Sequence, residues 1–265
     1  MNKLIVSSLS IYPVKSARGV SLNSMQLNSM GPECDRRWMV IDNSGAFVTQ
    51  RKVPKMSQIN IELIKSGIRL SADGFSSCFV TRQDKERVLT SSVWGAEVEG
   101  HDCGDEVALW LSDFLSKDCR LIYMPDNFKR EVDNNFARNQ ELLAFADGFP
   151  LLICSQASLD DFNNKRGYKI SMSRFRPNIV ISGNQAYAED RWHTIAINGI
   201  GFPLVKPCSR CIIPSINPQT GVKEMVVNDA LLAYRRRGQD TFFGQNAVYN
   251  KLGTIQIGDE VKIVK

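Results

Sequence analysis

The segment Pro207-Cys208-Ser209-Arg210-Cys211 carries the residue types best suited to chemistry in this chain. Two cysteines three positions apart can contribute to a zinc site, form a redox pair or supply one thiolate to a soft metal. A zinc site needs a second ligand pair of similar spacing, and a thioredoxin-like pair needs a strand–helix–strand context. Neither is evident in the sequence. A single thiolate ligand needs only one cysteine, and an adjacent arginine favours the thiolate. The spacing alone leaves these three sites and ordinary buried thiols open.

Several cationic and polar side chains lie at the ends of predicted strands, where they could bind an anion. Lys15 and Ser16 follow the first predicted strand, and Arg36 precedes the second. Arg176 and Asn178 stand immediately before another strand. A guanidinium and an amide can bind an anion through planar paired hydrogen bonds. Each of these segments, taken alone, is also typical of a solvated loop.

Several common enzyme classes find no support in the motifs. The chain has no Gly-x-Ser-x-Gly elbow, no Gly-x-x-x-x-Gly-Lys-Ser/Thr loop and no Gly-x-Gly-x-x-Gly fingerprint, and it has only two histidines for acid–base work. Lysine plus arginine number 33 against 28 acidic residues, a net charge of +5 over 265 residues. This surplus permits an anionic ligand but is too small and too dispersed to indicate a nucleic-acid partner.

The sequence predicts a cytoplasmic protein without a membrane span. Its longest uncharged runs, such as residues 194–205, are interrupted by Gly, Asn and Pro and are shorter than the ~20 residues that a spanning helix needs. The N-terminal residues indicate a retained strand rather than a cleaved signal. Seven cysteines with only one close pair predict reduced thiols rather than a disulfide framework.

Most of the hydrophobic periodicity is typical of short strands, so the chain is predicted to be mainly β, with two barrel-like domains and a few peripheral helices. A polar segment over residues 124–147 marks a change of character, and we place the domain boundary there, giving residues 1–124 and 125–265. Individual elements predicted from pattern are hairpins over residues 37–49, 59–70 and 254–263, a helix from Asp105, a helix over residues 155–163 with Ser155 as N-cap, and a short helix over residues 230–237.

Taken in order, nine short segments give the chain a family resemblance. They are residues 12–16, 35–36, 49–51, 175–180, 188–190, 207–211, 217–221, 243–246 and 258–259. The ordered set resembles the MOSC family, named for the C-terminal domain of molybdenum cofactor sulfurase. Within that family it is similar to the branch with an N-terminal β-barrel domain that includes the mitochondrial amidoxime-reducing component. The resemblance covers essentially the whole chain.

The resemblance implies a molybdenum–pyranopterin cofactor in a cleft between the two domains. It implies Cys211 as the catalytic molybdenum ligand, a role that suits a soft thiolate beside the dithiolene sulfurs of the pterin. It implies cofactor contacts at Lys15, Ser16, Arg36, Arg176, Asn178, Ser209, Arg210 and Asn246. Cationic forks and hydroxyl groups suit such an anionic ligand.

The implied reaction is the reduction of small N-hydroxylated substrates: hydroxylamines, amidoximes and N-hydroxy bases. Bacterial relatives can carry a Cys-rich iron–sulfur domain, whose cysteine set this sequence lacks, so the electrons are expected from a separate iron–sulfur or flavin protein. One alternative is a carrier of the cofactor or of sulfur, without turnover of its own. The wider family also raises pyridoxal phosphate binding, but no lysine here is marked as a Schiff-base former.

Overall fold

The computed structural model describes residues 3–82, 87–137 and 141–265, and in these the prediction of a mainly β chain with a few helices is confirmed. The strands are β1 Ile5–Ile11, β2 Val20–Leu22, β3 Ser24–Asn28, β4 Gly31–Pro32, β5 Trp38–Asp42, β6 Asn60–Ile64, β7 Gly67–Ala72, β8 Phe75–Thr81, β9 Val88–Val93, β10 Ala96–Asp102, β11 Cys119–Tyr123, β12 Leu151–Ser155, β13 Ile179–Ser182, β14 Thr194–Ile197, β15 Ile200–Ser209, β16 Arg236–Arg237, β17 Asp240–Ala247, β18 Gly253–Gln256 and β19 Val261–Ile263. The α-helices are α1 Asp105–Leu115, α2 Gln156–Arg166 and α3 Met225–Tyr234.

The largest sheet has the order β19-β14-β15-β17-β12-β13-β1-β2, with β16 paired to β17. Strands β12 and β13 run parallel, whereas β1 lies antiparallel to β13 with Leu9 opposite Ile179. Both of these side chains are buried in the main hydrophobic core, as is Ile153 of β12. The first strand of the chain therefore completes a sheet whose other central strands come from residues beyond 150.

Three smaller sheets complete the described fold, with the orders β5-β11-β10-β9, β6-β7-β8 and β18-β3-β4. The last of these again joins distant parts of the chain, because β3 pairs antiparallel with β18. The division into residues 1–124 and 125–265 stays a prediction, and two of the sheets contain strands from both sides of it.

Elements with a strong local signal form where the sequence predicts them. Helix α1 begins at Asp105, and its acidic first turn interacts favourably with the positive end of the helix dipole. Strands β6 and β7 form the predicted hairpin. The Ser155 side chain caps α2 by accepting a hydrogen bond from the Ser158 backbone N–H, and the helix extends beyond residue 163 to Arg166.

Three predicted elements differ from the structure. Residues 254–263 are not a hairpin, because β18 pairs with β3 while β19 pairs with β14. Residues 46–49 form no regular strand, but they turn back onto β5 as predicted, through the Ile41–Phe47 bridge and the hydrogen bond from the Val48 N–H to the Val40 carbonyl, and β5 pairs in addition with β11. The helix predicted over 230–237 runs from Met225 to Tyr234, and Gly238, with φ 63, lies in the turn between β16 and β17. Alternation identifies extended segments but not their partners.

No helix in the described parts of the chain combines the length and apolar character required for crossing a bilayer.

Candidate functional site

One cleft of ≈160 Å³ is lined by residues from both sides of the predicted domain boundary. All nine side chains predicted from the sequence line it: Lys15, Ser16, Arg36, Arg176, Asn178, Ser209, Arg210, Cys211 and Asn246. Most of them lie in or beside strands of the largest sheet, whereas Arg36 precedes β5 of a smaller sheet. Lys15 follows β1, Arg176 precedes β13, Asn246 lies in β17 and Ser209 ends β15.

Two arginines of the cleft lie against one aromatic ring. The guanidinium carbons of Arg36 and Arg176 stand 4.4 and 4.2 Å from the centroid of the Tyr12 ring. Arg36 also pairs with buried Asp35, with 2.5 Å between Nη1 and Oδ2. Arg176 donates from Nη1 to the Ala17 carbonyl at 2.7 Å, and no carboxylate among the described residues forms an ion pair with it. Burial and the neighbouring Arg36 charge lower the pKa of Arg176 to about 10.

Three of the cleft residues have left-handed backbone conformations, at φ 70 for Ser16, 49 for Arg36 and 57 for Arg176. Residues other than glycine seldom adopt this region, and such strain concentrates at functional sites. Surrounding hydrogen bonds fix the shape, as where the Arg36 backbone N–H donates to the Tyr12 carbonyl at 3.0 Å. All three of these residues line the same cleft.

A buried lysine and a carboxylate form an ion pair at the cleft. Lys15, 6% exposed, donates from Nζ to Asp147 Oδ1 at 2.5 Å and to the Phe145 carbonyl at 2.7 Å. The Trp94 indole N–H donates to the same Asp147 oxygen at 3.0 Å. Desolvation alone would raise the pKa of Asp147, but the Lys15 charge and these two hydrogen bonds outweigh it and hold the pKa well below its ordinary value. Burial lowers the pKa of Lys15.

Sequence reasoning missed Asp147 as a site residue. It lies at the end of the polar segment 124–147, which the sequence marks only as a domain boundary. A cavity-lining carboxylate there has no pattern of its own, because its partner is far away in the chain.

Asn178 lines the cleft but uses its amide within the protein. Its Oδ1 accepts hydrogen bonds from the Leu152 backbone N–H at 3.1 Å and from Arg36 Nη1 at 3.2 Å. Its Nδ2 donates to the Ser10 carbonyl at 3.2 Å, and the residue is 1% exposed. The amide therefore positions Arg36 and joins the segments on either side of β13.

Arg210 contacts one of the two cysteines beside it, Cys208, through its guanidinium. Its Nη1 donates to Cys208 Sγ at 3.0 Å and its Nη2 to the Phe175 carbonyl at 2.9 Å, while its backbone N–H donates to the Thr241 carbonyl at 2.8 Å. Cys208 is half-buried and Cys211 is exposed, and neither forms a disulfide. Cys211 is thus the more accessible thiol of the pair.

A third thiol, Cys154, lies behind this segment and is fully buried. Burial raises its pKa well above the ordinary value, so it stays a neutral thiol. Its packing depends on Gly244, which has φ 78 and where an added Cβ would lie 2.5 Å from Cys154 Sγ.

The cleft is strongly cationic and has hydrogen-bond donors without acceptors. Its cationic side chains are Lys15, Arg36, Arg51, Arg176 and Arg210, whereas Asp147 is the single carboxylate among the described lining residues. Two buried donors of described lining residues, Nε of Arg210 and Nε2 of Gln50, have no hydrogen-bond partner. Buried donors of this kind are rare without a ligand or water to satisfy them. The chemistry of the lining fits an anionic ligand rich in acceptors.

No group of three or more His, Cys, Asp or Glu side chains in residues 3–82, 87–137 and 141–265 could hold a metal ion. Neither histidine lines the cleft. A metal bound at Cys211 would therefore have to bring most of its other ligands with it. An organic cofactor with its own sulfur donors meets that requirement.

The chain is similar to known proteins over nearly its whole length. Residues 3–118 match the MOSC N-terminal beta barrel domain, and residues 140–262 match the MOSC domain. The Homo sapiens protein "Mitochondrial amidoxime-reducing component 1" is 35% identical over 280 residues, which cover 98% of this chain and 82% of that protein. Its Mus musculus counterpart is 32% identical over 279 residues, with the same coverage. "Mitochondrial amidoxime reducing component 2" of Bos taurus is 32% identical over 278 residues, covering 97% of this chain and 82% of that protein. The chain belongs to the MOSC-domain family of the mitochondrial amidoxime-reducing components.

Proposed function

We propose that this protein binds a molybdenum–pyranopterin cofactor in the cleft and reduces N-hydroxylated compounds. The observation that carries the proposal is a cleft with five cationic side chains, one carboxylate and two unpartnered buried donors, beside an accessible thiol. The relatives named as amidoxime-reducing components support the reaction class. The names of those relatives refer to mitochondria, and the cytoplasmic location of this chain stays a prediction.

Each part of the cleft matches one part of such a cofactor. Cys211 would supply the thiolate ligand to molybdenum, since it is the exposed thiol and its neighbour Cys208 is engaged by Arg210. The phosphate and pterin would be held by the remaining donors of the lining: Lys15, Ser16, Arg36, Arg176, Ser209, Arg210 and Asn246. Asn178 would act through Arg36. When bound, the cofactor supplies two-electron redox chemistry.

The charge of Arg176 has no counter-ion among the described residues, which also favours the binding of an anion. Its pKa is lowered because the guanidinium is buried next to Arg36 without its own carboxylate. A phosphate in the cleft would reverse this effect, since an opposite charge at short distance favours the charged form. The unbalanced cation therefore destabilises the fold of the empty protein and strengthens the binding of an anion.

The overall reaction consumes two electrons and two protons. In an amidoxime the N–O bond breaks, the nitrogen is reduced to that of an amidine, and the oxygen leaves as water. The electrons come from a separate iron–sulfur or flavin protein, which is itself oxidised. This donor is part of the proposal.

Lys15 and Asp147 give the cleft a fixed proton and a fixed negative charge. The proton stays on Lys15 Nζ, which is bonded to Asp147 Oδ1 and the Phe145 carbonyl. Lys15 and Trp94 both donate to Oδ1, which leaves Oδ2 of this exposed carboxylate to accept from an N–H of the substrate. Such a contact would orient the nitrogen of an amidoxime.

The test is metal analysis of protein expressed in a host that makes the pterin cofactor. We expect close to one molybdenum per wild-type chain, less than a tenth of that in Cys211→Ala, and most of it retained in Cys208→Ala. Equal losses in the two variants would indicate a dithiol or zinc site, and wild-type protein without molybdenum beside a loaded control enzyme would overturn the proposal. Retained molybdenum without turnover, whatever the electron donor, would point to the carrier function instead.

A further inference from the structure

An aromatic side chain occupies an unfavourable backbone position near the cleft. Val93 pairs with Ala96 across a two-residue turn in which Trp94 has φ 54 and Gly95 has φ 86. Turns with two positive φ values strongly favour Asn-Gly, and a bulky residue at the first position is an outlier. Trp94 is nonetheless 57% exposed. Neither the turn nor the burial of the ring accounts for a tryptophan at this position.

The Trp94 side chain contacts three residues that line the cleft. Its ring lies edge-on to Phe47, with the centroids 6.1 Å apart, and the Arg51 guanidinium lies 4.6 Å from its centroid. Its indole N–H donates to Asp147 Oδ1 at 3.0 Å. Trp94 is therefore held beside the cleft by three of its lining residues, and the residue remains more than half exposed.

We propose that Trp94, with Phe47 and Arg51, forms a stacking platform that selects planar aromatic substrates over aliphatic ones. This inference rests on the proposed function and names the substrate class for the same site. A substrate whose amidoxime nitrogen reaches Asp147 Oδ2 places its substituent beside the indole ring, because the indole N–H and the Lys15 ammonium converge on the other oxygen. An aromatic substituent gains a flat apolar contact there, whereas a methyl group gains little.

The position of Trp94 in the turn gives the test two independent readouts. Asparagine suits a turn residue with positive φ better than tryptophan does, and this gain offsets the lost contacts with Asp147 and Arg51, so Trp94→Asn is expected to change the Tm little while it removes the platform. Trp94→Phe keeps an aromatic face but loses the hydrogen bond to Asp147. Phe79→Asn serves as a control, because Phe79 is 60% exposed and does not line the cleft.

The probes are benzamidine and acetamidine, the amidines that correspond to an aromatic and an aliphatic amidoxime. Their dissociation constants are measured by calorimetry on cofactor-loaded protein. We expect the preference for benzamidine to fall about five- to tenfold in Trp94→Asn, to change less than threefold in Trp94→Phe, and to stay unchanged in Phe79→Asn. An unchanged preference in Trp94→Asn would overturn the inference, whatever the Tm of the variant.

The same variants separate this inference from the proposed function. Kinetics with benzamidoxime and acetamidoxime should show the effect of Trp94→Asn in KM for the aromatic substrate, with kcat little changed. Protein that holds molybdenum and reduces both substrates equally well would refute the platform alone. Protein without molybdenum and without turnover would refute the proposed function, whatever its affinity for benzamidine.

Discussion

Replacing Arg176 by glutamine should have opposite effects on the empty and the loaded protein. In the empty protein Arg176 is a cation lying near Arg36, and the only described hydrogen bond of its guanidinium is the one to the Ala17 carbonyl. With the cofactor bound, the same cation would contact an anion. Removing the charge should therefore stabilise the fold and weaken cofactor binding.

The magnitudes follow from the pKa and from the contacts that are lost. A fall from 12.5 to about 10 corresponds to about 3 kcal/mol, at about 1.36 kcal/mol for each pKa unit. At pH 7 the guanidinium is protonated in both states, so this whole difference opposes folding. Glutamine forfeits the hydrogen bond to Ala17 and the contact with the Tyr12 ring, worth about 1 kcal/mol each. The unfolding free energy should therefore rise by about 1 kcal/mol.

The loaded protein should lose a charge-assisted hydrogen bond worth about 1.5–3 kcal/mol. At about 1.4 kcal/mol for each factor of ten, cofactor affinity should fall about 10- to 150-fold. Urea denaturation of protein from a host without the cofactor pathway measures the first effect. Molybdenum content after dialysis measures the second.

Arg174 provides a matched control two residues away. It is 6% exposed and forms an ion pair with Glu224, so its charge is balanced in the empty protein. Arg174→Gln should lower the unfolding free energy by about 1.5–3 kcal/mol. If Arg176→Gln destabilised the empty protein as much as Arg174→Gln does, or left molybdenum retention unchanged, the argument for an anion site at Arg176 would fail.

Two further predictions concern the groups that support the cleft. Lys15 lowers the pKa of Asp147, so their ion pair stabilises the protein at neutral pH; this contribution begins to decline as the pH falls through about 4 and is lost only as the pH approaches the lower folded-state pKa. Asp147→Asn should therefore lower the unfolding free energy at pH 7 by about 1–3 kcal/mol and make it less dependent on pH below about 4; parallel pH profiles for variant and wild type would contradict this. Gly19→Ala should destabilise the protein by about 1–3 kcal/mol, because the new Cβ would lie 2.5 Å from Cε1 of buried Tyr12. Gly148→Ala, with nothing within 4 Å, is its control in urea denaturation, and equal midpoints would show that the Tyr12 ring yields easily.

The elements predicted correctly have their partners close by in the sequence. The hairpin β6–β7 and helix α1 are set by alternation and by three- and four-residue spacing within about a dozen residues. The C-terminal strands carry an equally clear alternation but pair with distant segments. Thr254 of β18, for example, contacts Gln26 of β3, 228 residues away. Local pattern contains no information about such a partner.

The site shows the same limit. Residue types and their order identified the thiol and the cations that meet in the cleft, but not which of them face a ligand. The amide of Asn178 bonds to its own fold, and the partner of Asp147 lies 132 residues away at Lys15. The missing hydrogen-bond partner of Gln50 Nε2 can likewise be recognised only from the folded structure.

The position of β1 in the largest sheet has a consequence for biosynthesis. Ser7 of β1 bonds to Val180 of β13, 173 residues later, so at about 5–20 residues per second a ribosome needs roughly 10–30 s to supply β13, whereas β2, the other neighbour of the first strand, follows at once. During that interval one edge of β1 stays unpaired on the nascent chain, exposed to aggregation or to chaperones. Lys15 and Ser16 follow β1 and are also synthesised early. The cleft that they line can bind a cofactor only after most of the chain has been synthesised.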